Sequence, residues 1–352
     1  MTSSAPRPRH RNAAGAWRLL AGALVSLVFL WLAFRGVDWA GAWDSMARAD
    51  GWLLFAGLSS VVAGTVLRAE RWRVLFHPRD RDMRLGACFS AMLIGQAVNA
   101  VAPLRAGEVV RALLIGEMER VSKALAIWTT VAEKVLDSAA LLVFLALASL
   151  TMPLPPWVRG AGWTLTLGLA VGVVLVATLV WREAASTAWI ARLEGRLPWL
   201  GRLRPGRLIA AVAASARLMR RPRLAAGLLV RSAIIFVALS ATNWIVGLGM
   251  GLRLPIMAYA LLFAVLQISA IVPLPTSPGR LGVFHYLCVV VLALYGVERD
   301  VALAYGLVLH VAVYLPTAVG GPLLLWLENR RGHALGRIFG LGAPAGGPTM
   351  EP

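Results

Sequence analysis

The sequence predicts an all-α polytopic membrane protein with about six spanning helices and two re-entrant helical hairpins, arranged in two halves of inverted topology. Hydrophobic residues make up 59% of the 352-residue chain and charged residues only 15%. Several apolar runs approach the roughly 20 residues that a helix needs to cross a bilayer. Two further apolar stretches are interrupted by proline and glycine, and these predict the hairpins.

The spanning helices follow from apolar runs whose ends carry tryptophans in several cases, as is typical of the membrane interface. The six runs are 17–34, 51–67, 124–150, 163–181, 224–250 and 301–327. Arginines are dense in the first 18 residues, in 68–84, in 182–223 and after residue 327. The positive-inside rule therefore predicts that these segments and both termini are cytoplasmic, in a protein of the plasma membrane.

The charge pattern also divides the chain into parts. They are a basic cytoplasmic tail (1–13), a membrane domain (14–331) with halves of about 14–181 and 224–331, an arginine-rich cytoplasmic linker (182–223) between them, and a flexible cytoplasmic tail (332–352). The linker holds ten arginines against two glutamates. That composition suits an amphipathic segment lying on anionic lipid, and a solvated linker without a binding role is the competing interpretation.

The formal net charge of +18 indicates contact with anionic lipid head groups, because the arginines cluster between apolar runs. Nucleic-acid binding is not predicted, since no recognisable motif for it accompanies the charge. No metal signature, nucleotide-binding glycine loop or nucleophile elbow is visible, so we predict no cofactor, no metal and no enzyme activity. The expected partners are anionic membrane lipids, and the oligomeric state is left open.

The hairpins are predicted at 85–116 and 255–296. A proline deep in an ordinary span would remove a backbone donor, and the freed backbone would need partners inside the protein. A re-entrant hairpin shielded by neighbouring helices meets this constraint, although two full crossings agree equally well with the charge map. The residues at the breaks are Pro103 in the first hairpin and Pro278, Gly279 and Gly282 in the second.

A short pattern links the two hairpins. Pro-x-Arg-x-Gly occurs at 103–107 and again at 278–282, 175 residues later. Its position at both predicted tips favours an inverted repeat, in which broken helices frame a binding site near the middle of the membrane. A chance match in a chain rich in arginine and glycine is the alternative.

The first hairpin carries the main candidate site. Because ionisable side chains at membrane depth are costly, they face a cavity, a partner or a substrate by default, and Arg105 and Arg111 are predicted to bind a phosphate head group. Gly107 allows close backbone approach, and Glu108 can pair with Arg111 three residues later. Asn99 bonds to freed backbone or contacts the ligand. Alternatively, the loop lies at the cytoplasmic interface and its arginines snorkel.

Two further groups of polar residues are candidates. Glu133 and Asp137 share one helix face with Lys134 between them, and they form either a coupling site or a structural ion pair that holds the hairpin against the span. In the second hairpin, Arg280 and His285 flank the point where the helix restarts. Arg280 is a candidate head-group ligand, and His285 either titrates near neutral pH or packs as a hydrogen-bonded residue.

At these residues the sequence resembles the lysylphosphatidylglycerol synthase transmembrane-domain family, also called flippase-like domain proteins. The similar segments are NAVAPLRAGEVVRALLIG, AEKVLD at 132–137 and PTSPGRLGVFHYLCVVVLALYGV at 275–297. The resemblance covers about 14–331. It implies a lipid-handling membrane domain, which some relatives fuse to an aminoacyl-transfer domain that makes lysyl-phosphatidylglycerol.

The resemblance also assigns positions. Those that match the family's motifs are Asn99, Pro103, Arg105, Gly107, Glu108, Arg111, Glu133, Asp137, Pro278, Gly279 and Gly282. Three positions depart: Lys134 replaces a usual arginine, Arg280 stands where a glycine is common, and His285 stands where a glutamate is common. A role that needs an acid in the second hairpin is therefore not carried over.

Three hypotheses about function follow. The first is a flippase that moves an anionic phospholipid or polyprenyl-phosphate-type lipid between leaflets, with the head group at Arg105 and Arg111. The second is a non-catalytic membrane subunit that docks or regulates a lipid-modifying enzyme through the arginine-rich linker. The third is a lipid-modifying transferase, for which only Glu133, Asp137 and His285 offer a base, and no donor site is visible.

Overall fold

The computed structural model describes residues 13–102, 106–151, 156–181, 221–271 and 278–331, and within them the protein is all-helical, with eleven α-helices and no strand. The helices are α1 (Ala13–Phe34), α2 (Trp39–Ala47), α3 (Gly51–Val74), α4 (Leu85–Val101), α5 (Ala106–Met118), α6 (Lys123–Thr151), α7 (Pro156–Trp181), α8 (Pro222–Gly249), α9 (Ile256–Ile271), α10 (Leu281–Ala293) and α11 (Arg299–Arg330). The two predicted tails, except Ala13, and most of the predicted linker lie outside the described residues, as do Pro103 and Arg105.

Each of the six predicted spans forms a helix, namely α1, α3, α6, α7, α8 and α11. Within the described residues, α3, α8 and α11 are clearly long and apolar enough to cross a membrane. Helices α1 and α2 are bent by 83° at the break between them and add a fourth span if counted as one unit. The total number of crossings stays a prediction.

Each predicted hairpin is a pair of short helices. The limbs α4 and α5 have 17 and 13 residues, and the limbs α9 and α10 have 16 and 13. At 1.5 Å per residue these limbs are about 20–26 Å long, which is shorter than the roughly 30 Å of a hydrocarbon core. These lengths are more typical of a hairpin that enters and leaves the membrane at the same face than of two complete crossings.

The segment at 35–50, between the first two predicted spans, contains a helix, α2, that the sequence did not indicate. Asp38 caps it, because its Oδ1 accepts a hydrogen bond from Ala40 N at 3.0 Å. The backbone N–H of Asp38 donates to Asp300 Oδ1 in the first turn of α11, also at 3.0 Å. Helix α2 is thereby held against α11 and turned away from α1.

Helix α3 is longer than its apolar run. The sequence predicts a span that ends at Leu67, followed by a cytoplasmic segment from Arg68 to Arg84, but the helix continues to Val74. Arg71 lies on this extension and is fully buried. The sequence did not indicate that this turn is helical and buried among partners inside the protein, and the cytoplasmic location of the segment stays a prediction.

Helices α3 and α8 pack closely along a stripe of small residues. A Cβ on Gly57 would lie 2.7 Å from Val246 Cγ2, and one on Gly64 would lie 2.6 Å from Leu239 Cδ2. Between the two glycines, the Ser60 hydroxyl hydrogen-bonds to a threonine of α8 at 2.8 Å. Small residues let helix backbones approach closely in membranes, so this contact joins the two parts of the fold.

The order span, hairpin, span occurs twice, first in α3–α6 and again in α8–α11, and we call these the first and second units. Besides the α3–α8 contact, α4 of the first hairpin packs on α11, and α9 of the second hairpin packs on α6. Each hairpin therefore contacts a span of the other unit. Helix α1 packs mainly on α10 and α7 on α6, outside this core.

Candidate functional site

Seven charged side chains lie together where α3, α5 and α6 meet beside α8. This charge cluster consists of Arg68, Arg71, Glu108, Arg111, Glu133, Lys134 and Asp137. Glu133 on α6 and Ser232 on α8 each lie about 15 Å along their helix from its first residue. Charges at such a depth in a membrane helix are costly unless they are paired or hydrated.

Glu133 is the centre of the charge cluster, and its side chain is fully buried. Its Oε1 lies 3.3 Å from Arg71 Nη2 and 3.5 Å from Arg68 Nη2. Its Oε2 lies 2.6 Å from Arg111 Nη2. One carboxylate on α6 thus holds cations from α3 and α5, and it fixes the first hairpin against both spans.

Arg71 connects the two units. Its Nη2 donates to Asp137 Oδ1 at 2.6 Å, and its Nη1 donates to Ser232 Oγ at 2.9 Å. The Ser232 hydroxyl in turn donates to Leu228 O at 2.9 Å, within α8. A buried guanidinium keeps its charge when several acceptors surround it, and here the acceptors come from α6 and α8.

Arg111 is held by partners on three sides. Its Nη2 lies 2.9 Å from Glu108 Oε2, in addition to its contact with Glu133, and its Cζ lies 4.9 Å from the centre of the Trp72 ring. The Trp72 indole N–H donates to Thr129 Oγ1 at 3.1 Å, which fixes the ring. Only 4% of the Arg111 side chain is exposed, so its predicted contact with a head group stays a prediction.

The charge cluster carries a surplus of positive charge. Lys134 Nζ lies 3.1 Å from Glu108 Oε1 and completes the set. In the described residues the cluster therefore has four cations and three carboxylates. Because an uncompensated charge is unfavourable in an apolar surrounding, an anion is its natural complement.

The break in the first hairpin is stabilised by Asn99, whose Oδ1 accepts a hydrogen bond from the Gly107 backbone N–H at 2.8 Å. A Cβ on Gly107 would overlap Gly95 O, and a Cβ on Gly95 would lie 2.7 Å from Gly107 O. The two limbs cross where both helices have glycine. Asn99 thus bonds to backbone freed at the break, and Gly107 permits the crossing.

The second hairpin turns through left-handed backbone. A 3₁₀ turn begins at Pro278, and φ is +70° at Gly279 and +54° at Arg280. This conformation explains why a glycine is common at the Arg280 position in the family that the sequence resembles. The Arg280 Nη1 donates to Leu266 O at 3.1 Å and to Ser269 Oγ at 2.9 Å, so it ties the turn to α9.

His285 belongs to a ring stack on α10 and α11. Its Nδ1 is hydrogen-bonded to Leu281 O, and its ring lies 5.0 Å from His310, whose ring stacks on Tyr314 at 4.2 Å. One turn earlier, Gly282 packs on α1, where a Cβ would lie 2.8 Å from a backbone nitrogen. In the described part of the chain, the structure places His285 in packing rather than in an ion pair.

The structure thus joins Glu108, Arg111, Glu133, Lys134 and Asp137 in one network and places Arg280 and His285 elsewhere. It also adds two residues, Arg68 and Arg71, that the sequence analysis placed in a cytoplasmic segment and not at the site. The signal for them was the spacing of three between two arginines, since residues three apart share a helix face. An arginine pair at the end of an apolar run is equally typical of a membrane boundary.

Comparison with known proteins places this network in a family. A family model described as "Lysylphosphatidylglycerol synthase TM region" matches residues 19–321, which include both hairpins and the whole charge cluster. No curated protein and no solved structure matches the chain. Since the match covers most of its length, the chain belongs to the lysylphosphatidylglycerol synthase transmembrane family and is a membrane protein tied to lipid handling.

Proposed function

We propose that the protein binds an anionic lipid, either a phospholipid or a polyprenyl-phosphate-type lipid, and moves it between leaflets of the plasma membrane. The observation that carries the proposal is the surplus positive charge of the buried cluster. Buried ion pairs alone are weak evidence for function, since they also serve structure. A cluster inside membrane helices with one cation more than carboxylates favours a negatively charged ligand.

The arrangement of the two units supports movement as well as binding. If the arginine-rich segments are cytoplasmic, α3 runs inward and α8 outward, so the first and second units have opposite orientation. Inverted repeats with broken helices are typical of transporters that expose one site alternately to each side. The packing of each hairpin on a span of the other unit agrees with such a repeat.

A transfer assay in reconstituted vesicles tests the proposal. The wild-type chain is expected to move fluorescent phosphatidylglycerol between leaflets faster than protein-free vesicles, with accessibility to a membrane-impermeant quencher as the readout. Arg105→Ala is expected to abolish the transfer without loss of folding. The matched control is Arg231→Gln, because Arg231 pairs with Glu70, is 40% exposed and is not one of the seven residues of the charge cluster. A wild-type rate equal to that of empty vesicles refutes translocation.

A second candidate function rests on the ten arginines of residues 182–223. A basic cytoplasmic segment can dock a partner, so the chain would be a non-catalytic subunit of a lipid-modifying enzyme. Deletion of residues 192–221 separates the two functions. Loss of partner co-purification with intact lipid transfer supports docking, and unchanged co-purification rejects it.

A further inference from the structure

A narrow cleft borders the charge cluster between α3, α6, α8 and α9. Its polar lining consists of Arg68, Asp137, Ser232 and Gln267, and the remaining side chains that line it are apolar, Phe236 among them. The cleft has a volume of about 30 Å³. This is enough for about two water molecules.

The polar and apolar linings are separated along the helices. On α6, Asp137 comes one turn before the apolar lining residue Leu141. On α8, Ser232 comes one turn before Phe236 in the same direction. Helix α9 runs antiparallel to α8, since residue 259 bonds to residue 243 and Phe263 packs on Phe236. Gln267 accordingly follows the apolar lining residue Phe263. The cleft therefore has a polar end at the charge cluster and an apolar end beyond it, the same polarity as a lipid.

Arg68 is the cation of the charge cluster that borders the cleft. Its side chain is 21% exposed, compared with 1% for Arg71 and 4% for Arg111. Its distances to Glu133 and Asp137, 3.5 and 3.8 Å, are the longest in the cluster. The planar guanidinium has five donors, so donors of Arg68 remain for a ligand in the cleft.

We propose that this cleft is a lipid site, in which Arg68 and Gln267 bind the phosphate of an anionic lipid and an acyl chain lies against Phe236. The proposal rests on the proposed function and names the residues of its binding site. A guanidinium matches phosphate geometry with two parallel donors, and the Gln267 amide supplies another. One phosphodiester charge balances the surplus of one positive charge in the cluster.

The apolar end decides between a lipid and a free anion. Two rings line it, Phe236 and Phe263, with their centres 4.9 Å apart, and Phe144 packs against Phe236 at 4.9 Å. Inorganic phosphate gains no binding free energy from these apolar side chains, whereas an acyl chain buries apolar surface against them. Since the cleft has room only for water as it stands, entry of an acyl chain requires lining side chains such as Phe236 to move aside.

Lipid binding to the purified full chain tests this site. Native mass spectrometry from detergent is expected to show that wild type retains phosphatidylglycerol over phosphatidylcholine. Arg68→Gln is expected to weaken phosphatidylglycerol retention by about tenfold or more, because a charge-assisted contact to phosphate is lost. The control Arg231→Gln is expected to bind as wild type does. Retention by Arg68→Gln equal to that of the control overturns the site.

A second pair of variants tests the apolar end without changing a charge. Ala140→Leu adds bulk to a residue that lines the cleft and is expected to weaken phosphatidylglycerol retention. The neighbouring Ala139→Leu, which is not a lining residue, is the matched control. Equal retention by the two variants, or displacement of phosphatidylglycerol by millimolar inorganic phosphate, overturns the assignment of a lipid and leaves a free anion as the ligand.

Combining binding with transfer separates this inference from the proposed function. If lipid binding depends on Arg68 but the protein transfers no lipid, the binding site is correct and translocation is not. If Arg68→Gln transfers lipid at the wild-type rate, translocation is correct and the binding site is not. Thermal unfolding of each variant shows whether it is folded, and Arg68→Lys, which keeps the charge but loses the planar donor pair, is expected to bind with intermediate strength.

Discussion

Replacement of Glu133 by glutamine is expected to lower the free energy of unfolding by about 3–5 kcal/mol, the cost of removing one partner from a buried ion pair. The change leaves Arg111 with Glu108 and Arg71 with Asp137. It also raises the surplus of the charge cluster from one positive charge to two. We expect a loss near 3 kcal/mol, since the glutamine side chain has the volume of glutamate and keeps one acceptor oxygen. Titration of SDS into the protein in mild detergent, followed by circular dichroism, measures the loss.

The matched control is Glu70→Gln, on the same helix as Arg68 and Arg71. Glu70 pairs with Arg231 at 2.9 Å, but the two side chains are 30% and 40% exposed. Partly exposed pairs contribute about 0–1 kcal/mol, so this variant is expected to unfold nearly as wild type does. If Glu133→Gln and Glu70→Gln lower the free energy of unfolding by the same small amount, burial does not determine how much the ion pairs of the charge cluster contribute to stability. That result refutes the expected difference.

Substitutions at three hairpin positions, Gly107, Asn99 and Arg280, give further tests with the same titration. Gly107→Ala is expected to lower the free energy of unfolding by about 1–3 kcal/mol or more, because its methyl group overlaps the carbonyl of Gly95. The control Gly168→Ala has open space around it and is expected to be neutral or stabilising. Equal stability of the two variants contradicts the tight crossing. Asn99→Ala is expected to cost about 1 kcal/mol through the lost bond to the backbone, and no change contradicts that role. Arg280→Gly and Arg280→Ala both lose the two hydrogen bonds of the arginine, but only glycine adopts the positive φ without strain. The glycine variant is therefore expected to be more stable than the alanine variant by about 1 kcal/mol. Equal stability of these last two would mean that the turn is not strained.

The division of each predicted hairpin into two short helices was predictable, because proline and glycine act locally. Helix α5 begins at Ala106, just after the predicted break at Pro103, and α10 begins at Leu281, just after the predicted break positions Pro278 and Gly279. The pairing of Glu108 with Arg111 was predictable for the same reason, since a separation of three fixes the distance on a helix.

Contacts between distant segments were not predictable from one sequence. Periodicity shows that an arginine lies on a helix, but not which helix faces it, and Arg71 finds its partners 66 and 161 residues away. The same holds for α2, whose position depends on the bond between Asp38 and Asp300. A capping aspartate predicts a helix start but not the element against which that helix packs.

The glycine stripe between α3 and α8 restricts how the two units can rearrange. Shifting α8 by one turn along α3, about 5.4 Å, would carry Val246 and Leu239 away from Gly57 and Gly64 and press them against larger side chains. Sliding is therefore blocked at this line of contact, but tilting about it is not. A rearrangement that keeps this contact would therefore tilt α8 about α3 instead of sliding along it.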